Sequence, residues 1–233
     1  MKISVIDIPG INPGKYNIKD SRLDQVDSIT KAKKKTYVQV EVVAQTGALD
    51  ADAILALKNS KTDLILNDLE FVETRLSRAT DEAEKVLLNK FKGALEKEEF
   101  ISTVPLSEED KKIIASFGLY TLKSATLAEN AELEDTNALL MRALQESGYI
   151  SFFTTGEKET RAWLIKKGIS AWEAAGAIHS DIQKGFIRAE IISFADFMSC
   201  GGETGAKQAG KQRLEMKDYV MQDTDLVNFR FSK

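Results

Sequence analysis

The last third of the chain leaves the fewest folds open, because its apolar residues change period several times within residues 149–233. Gly185 is followed by Phe186-Ile187-Arg188-Ala189-Glu190-Ile191-Ile192-Ser193-Phe194-Ala195-Asp196-Phe197. In that run β-branched and aromatic residues alternate with polar ones before the pattern shortens into a helical turn. Upstream, Ala174, Ala175, Ile178 and Ile182 recur at helical spacing over residues 171–182. Before that helix, Arg161-Ala162-Trp163-Leu164-Ile165 reads as a strand closed by Lys166-Lys167-Gly168. A succession of strand, strand, helix, strand, turn and strand predicts a small mixed sheet with a helix across one face, an α+β layer.

A chain of 233 residues is long enough for one sizeable core or two small ones. Its formal net charge of −4 supplies no global attraction for nucleic acid, so any RNA contact has to come from a local basic patch. No DNA specificity is expected. The single cysteine, Cys200, excludes an intramolecular disulfide and a cysteine-only metal site, and beside Gly201-Gly202 it reads as a small turn residue. The single histidine, His179, has no second histidine to share a metal with and reads as a hydrogen-bonding residue at a helix end. No apolar run approaches the roughly 20 residues that span a bilayer, and there is no signal-peptide pattern, so no membrane partner is expected and the compartment is the cytoplasm.

Taken in order, residues 1–8 read as a first buried strand and Tyr37–Val43 as another. Between them Arg22–Lys35 reads as a short helix ending in a basic turn, Lys31, Lys33, Lys34 and Lys35, which suits either solvent or RNA. Over residues 50–98, Leu55, Leu57, Leu64, Leu69, Val72, Leu76, Leu87, Phe91 and Leu95 recur at intervals near three and four, the spacing of long amphipathic helix. No proline lies between Gly14 and Pro105, so the expected form is a hairpin of two helices turning near Ala79-Thr80-Asp81. Ser107-Glu108-Glu109-Asp110 is a helix start with an acidic first turn. Tyr120-Thr121-Leu122 reads as a strand, and residues 135–148 as one more helix.

Four segments of the last third carry a resemblance: Phe152-Phe153-Thr154-Thr155-Gly156-Glu157-Lys158-Glu159, Gly185 to Glu190, Gly205-Ala206-Lys207-Gln208-Ala209-Gly210-Lys211 and Asp218-Tyr219-Val220-Met221-Gln222-Asp223. Together they resemble the carboxy-terminal domain of the YchF (Obg-like) P-loop ATPases, a TGS-type β-grasp module. The resemblance implies a remnant P-loop-type α/β sheet over residues 1–58 and 113–148, a coiled-coil-like helical hairpin arm over 59–112, and the TGS-type domain over 149–233. The class is therefore α+β and α/β combined.

Upstream, the chain departs from the family where its chemistry is most demanding. Pro9-Gly10-Ile11-Asn12-Pro13-Gly14-Lys15-Tyr16 stands where the family has Gly-x-Pro-Asn-x-Gly-Lys-Ser. Aligned on Asn12, Gly14 and Lys15, it carries Pro9 for the first glycine, Pro13 at a position whose N–H would cradle phosphate, and Tyr16 for the hydroxyl that holds magnesium. A phosphate loop also needs a helix directly behind it, and Asp20-Ser21-Arg22-Leu23-Asp24 arrives too soon for one. Ala44-Gln45-Thr46-Gly47 matches the family's Asp-x-x-Gly at Gly47 and lacks its aspartate. The base-recognition motif Asn-x-x-Glu falls on Leu127-Ala128-Glu129-Asn130-Ala131-Glu132. If Glu132 stands for the glutamate, Glu129 occupies the asparagine position; a slip of one residue restores Asn130 and loses the glutamate.

What the resemblance implies is a binding or regulatory module that docks on the translation machinery, ribosome or structured RNA, through the TGS-type domain, with hydrolysis lost and no cofactor. Lys158, Arg161, Lys184, Arg188, Lys207, Lys211 and Arg213 are the basic residues available for that contact. The alternative is a divergent nucleotide-binding protein with residual ATPase or GTPase activity, in which Asn12, Gly14, Lys15, Gly47 and Glu132 hold ATP or GTP with magnesium.

Overall fold

A computed structural model describes residues 1–232. From the amino terminus the chain runs β1 (Lys2–Ile6), β2 (Gly14–Ile18), α1 (Ser21–Thr30), β3 (Lys35–Thr36), β4 (Val38–Ala44), β5 (Ala53–Leu57), α2 (Lys61–Arg78) and α3 (Glu82–Leu95). Then come α4 (Glu108–Ile114), β6 (Ser124–Ala128), α5 (Thr136–Glu146), β7 (Tyr149–Thr154), β8 (Thr160–Lys166), α6 (Ala171–Ile178) and α7 (Ser180–Lys184). The last elements are β9 (Phe186–Ile192), α8 (Phe194–Ser199), α9 (Glu203–Gln208), β10 (Arg213–Glu215) and β11 (Leu226–Phe231). By compactness the chain divides into two units, Met1–Tyr16 with Val40–Ser147, and Asn17–Gln39 with the chain from Gly148 onward. Residues 17–39, grouped with the amino-terminal domain on sequence grounds, thus belong by contact with the carboxy-terminal one.

The first unit is built on a sheet of order β2-β4-β1-β5-β6. β1 runs parallel to β4 and to β5, and β5 parallel to β6. β4 buries Val38, Val40 and Val42 and exposes Gln39 and Glu41, the alternation of a strand with one covered face. In β5, Ala53, Ile54, Leu55 and Ala56 are all buried, as in a central parallel strand covered on both faces. The helical reading of residues 50–60 therefore fails at Leu55 and Leu57. A five-residue apolar run has too little length for period to separate helix from strand, and burial between β1 and β6 decides. From β1 the chain goes to β4 on one side and then to β5 on the other, which makes the carboxyl end of β1 a topological switch point.

α2 and α3 form the hairpin, joined through Ala79–Asp81, where the Asp81 carboxylate accepts from the Glu84 N–H and starts α3. Ile65 and Val72 pack with Leu87, Leu88, Phe91 and Leu95. The segment Tyr120–Leu122 is a turn and not the expected strand. The N–H groups of Tyr120 and Thr121 donate to the Asp68 carboxylate at 2.9 and 2.6 Å, so β6 begins only at Ser124.

The second unit carries a six-stranded mixed sheet of order β10-β9-β11-β7-β8-β3. β7 and β8 are antiparallel, β9 is antiparallel to β10 and β11, and β11 and β3 run parallel to β7 and β8 respectively. α6 presents Ala171, Ala174 and Ala175 to a core with Phe152, Ile191 and Phe229, small side chains that let helix and sheet approach. The predicted helix over 171–182 is broken at His179, which is extended (φ −163°) and accepts at Nδ1 from the Asp181 N–H at 3.1 Å, capping α7. α1 buries Leu23 and Val26 and packs against β8 and α8. Gly202, at φ +117°, lies so close to Ile29 that a Cβ there would come within 2.9 Å of its Cγ2. Among the described residues no helix is long and apolar enough to cross a membrane.

Candidate functional site

The switch point at the end of β1 is where an α/β sheet of this kind places a ligand, and a cavity of about 420 Å³ lies there. Its walls are set by β1, β4 and the loop between β1 and β2. Val5, Ile8, Pro9 and Ile11 line one part and Val42 and Ala44 another, all apolar. The charged side chain in the lining is Asp7, which sits at φ +57° and accepts from the Ser60 hydroxyl at 2.9 Å. An anionic phosphate would meet hydrocarbon and a carboxylate.

The loop is closed on itself. The Asn12 N–H donates to the Tyr16 Oη at 3.1 Å, and the Tyr16 hydroxyl donates to the Asn12 carbonyl at 2.9 Å. Pro13 has no N–H to offer. Gly14 and Lys15 already belong to β2, so a strand stands where a phosphate loop needs the amino terminus of a helix. Asn12 and Lys15 are exposed and neither lines the cavity.

Gly47 lies in the 3-10 turn Gln45–Asp50, close enough to Val43 that a Cβ there would meet the Val43 Cβ at 3.2 Å. That turn is fastened to the body of the unit. The Lys123 ammonium donates to the carbonyls of Leu49 and Ala51 at 2.6 and 2.5 Å, and the Ser4 hydroxyl to that of Ala44 at 3.3 Å. Burial pushes the Lys123 amine down from its ordinary value against the pull of Asp52 and Asp50. Ala44 has no metal-ligating side chain, and the turn after it is pinned at its far end.

A second cleft, of about 310 Å³, lies at the carboxyl ends of β5 and β6. Lys58, Asn59, Glu129 and Asn130 line it. Lys58 pairs with Glu129 at 2.6 Å, an exposed pair across the cleft mouth. Glu132 does not line it. One of its oxygens accepts from the Glu129 N–H at 2.8 Å and the other pairs with Arg142, whose second nitrogen donates to the Leu127 carbonyl at 2.6 Å. Glu132 is thus spent on the local turn and on Arg142, Glu129 on Lys58, and Asn59 and Asn130 are the amides that line the cleft. Lys58 and Asn59 were not found from sequence; lying at the end of a strand read as helix, they gave no signal.

The basic residues of the second unit fall in separate places. Lys207 pairs with Glu203 at 2.5 Å, Lys211 with Asp196 at 3.4 Å, and Arg213 with Glu215 at 3.4 Å and with the Tyr219 hydroxyl at 3.1 Å. Lys184 ends α7 and Arg188 is exposed on β9. Lys158 and Arg161 stand at the β7–β8 turn, with the Arg161 guanidinium 4.0 Å from the centre of the Trp163 ring. Trp163 is partly buried and stacks at 6.4 Å on Phe152, whereas Trp172 is 44% exposed.

A family model described as "YchF-GTPase_C: Protein of unknown function (DUF933)" matches residues 149–232. The ribosome-binding ATPase YchF of Bacillus subtilis is 31% identical over 277 aligned positions, which take in 91% of this chain and 75% of that protein. Since 277 positions exceed the 233 residues available, the relative holds stretches that this chain lacks. The Haemophilus influenzae protein of the same name is 55% identical over 82 residues, 35% of this chain and 23% of that protein. Among solved structures, that of the Schizosaccharomyces pombe YchF GTPase superposes with a TM-score of 0.78 at 18% identity, covering 99% of this chain and 97% of that one, a likeness of fold.

Proposed function

The chain belongs to the YchF family, and from that premise we propose that it is a binding or regulatory module of the translation machinery that docks on the ribosome through a TGS-type domain and no longer hydrolyses nucleotide. The observation that carries the second half is the phosphate-loop position. Its cavity offers apolar walls and the Asp7 carboxylate, its Asn12 N–H is occupied by Tyr16, and a strand replaces the helix behind it. The residues present there do not fit a magnesium-bound triphosphate. Charge stabilisation by one such donor is typically worth about 3 kcal/mol in phosphoryl transfer, and several are altered together, which Lys15 alone does not offset. The docking half rests on relatives named as ribosome-binding, with the family-model match over residues 149–232 beside them. Docking on ribosomes puts the protein in the cytoplasm.

The alternative, a divergent ATP- or GTP-binding protein, draws on one feature, the open cleft with Asn130 and Lys58 at the edge of β5 and β6. Titration calorimetry separates the two. We expect no saturable heat for ATP or GTP with magnesium up to millimolar ligand; a saturable isotherm that weakens in Lys15→Ala or in Lys58→Ala would overturn the proposal's second half. Sedimentation with ribosomes at rising salt tests the first half, which fails if the chain stays in the supernatant at low salt.

A further inference from the structure

In the second unit two segments far apart in sequence are sewn together at one sheet edge. The Lys33 N–H donates to the Glu157 carbonyl at 3.1 Å and the Thr160 N–H to the Lys34 carbonyl at 2.9 Å. Lys35 and Thr36 pair in parallel with Thr160 and Arg161. The basic turn after α1 therefore lies alongside the β7–β8 turn, which neither stretch of sequence announces by itself.

The charges there do not cancel. Lys35 pairs with Asp24 at 2.5 Å and Lys34 with Glu159 at 3.3 Å. Lys31, Lys33 and Lys158 are exposed and make no ion pair among the described residues. The carboxylates near them that also lack an ion pair are Glu157 and Asp27. Beside the three lysines, the Arg161 guanidinium rests over Trp163, has Glu159 no closer than 4.0 Å, and keeps a buried Nε without a hydrogen-bond partner. The indole is held in turn by its own Nε1–H, which donates to Thr154 at 2.9 Å. The result is a planar cation stacked on an indole, flanked by three exposed ammonium groups.

We propose that Lys31, Lys33, Lys158 and Arg161 form a face that takes the phosphate backbone of structured RNA, an inference that rests on the ribosome-docking reading and names the surface used. A strand of phosphates carries regularly spaced charge that lysines on flexible stems neutralise without exact geometry, and arginine suits phosphate by its planar fork. An acidic protein segment lacks that regular spacing of charge, and the free-RNA arm of the test below separates the two occupants.

The test uses the full chain with purified bacterial ribosomes and, in parallel, with deproteinised ribosomal RNA from them, over a series of salt concentrations. In the triple variant Lys31→Gln/Lys33→Gln/Lys158→Gln the slope of log affinity against log salt on the RNA is expected to flatten by about 2 to 3, close to one per phosphate contact removed. In Arg161→Lys, which keeps the charge and loses the fork, affinity for the RNA should fall with the slope unchanged. Equal slopes for wild type and the triple variant overturn the proposal, as does a wild type that binds ribosomes and ignores the free RNA, which would indicate an acidic protein face. A wild type that binds the free RNA with the expected slopes but does not sediment with ribosomes sinks the docking reading and leaves this surface standing. Thermal melts of both variants exclude loss of fold as the cause.

Discussion

Asp68 shows how a single side chain on a helix fixes a distant segment. It is 1% exposed and accepts from the N–H groups of Tyr120 and Thr121 and from the Thr121 hydroxyl, three donors on one carboxylate. An amide at that position has one acceptor oxygen and brings donors of its own, so Asp68→Asn leaves a buried N–H unpaired and should cost about 1–3 kcal/mol in urea unfolding. Burial dominates its titration and pushes it up, against the hydrogen bonds from Thr121 and Tyr120. A carboxyl whose folded value is raised holds its proton longer in the folded state. Its stabilising share is complete below the ordinary carboxylate range and is lost as pH rises through the folded value. The Asp68→Asn penalty should therefore be larger at about pH 4.5 than at about pH 7. Carboxylates shifted the other way, such as Glu159, held down first by the hydrogen bond from Thr36, are common to both proteins and drop out of the difference. A penalty that stays level or grows with pH would refute this account of Asp68.

At the scale of elements, the turn Gln45–Asp50 is fastened to its unit largely by one side chain. With Lys123 donating to Leu49 and Ala51, it is held from the carboxyl side irrespective of what occupies the cavity beside Ala44. Lys123→Met keeps the apolar stem and removes both donors. Amides of residues 45–51 should then exchange with deuterium about tenfold faster or more, the equivalent of about 1.4 kcal/mol of local stability, while those of β1 and β5 keep their protection. Unchanged exchange over 45–51 would show that the ammonium is incidental. Elements of this kind were legible to different degrees. The hairpin turn was readable because Asp81 is a cap followed by Glu82-Ala83-Glu84, and β9 because β-branched and aromatic residues cluster directly after Gly185. β5 was not, since Ala53–Leu57 is too short to show a period, and the turn at Tyr120–Leu122 depends on Asp68, fifty-two positions away from Tyr120. In the loop over residues 9–16 the sequence shows Pro13 without an N–H and Tyr16 after Lys15, but that the Tyr16 hydroxyl closes the loop on Asn12 is a fact of geometry.

At the scale of the whole molecule, the second unit is discontinuous: the family-model match begins at residue 149, yet the compact body also takes in residues 17–39. That stretch adds β3 to the edge of β8, lays α1 against β8 and α8, and joins Thr30 to Thr160 by a hydroxyl pair at 2.8 Å. Arg22 anchors its start, forked onto Asp20 at 2.7 Å and reaching Asp223 at 2.5 Å; those bonds, Asp20's first, raise its already high pKa and keep it charged. Leu23 and Val26 are fully buried, which at about 1.5–3 kcal/mol per side chain is roughly 3–6 kcal/mol of burial. Domains are typically stable by about 5–15 kcal/mol in total, so a fragment that starts at residue 148 forfeits a large part of its margin. We expect residues 148–233 expressed alone to melt at least about 15 °C below the intact chain and to bind a hydrophobic dye, and a synthetic peptide of residues 17–39 to restore the transition. The same peptide with Leu23→Asp should fail to do so. A fragment that melts with the full chain and ignores the peptide would mean that the matched segment is self-sufficient, and that α1 rests on a surface already stable without it.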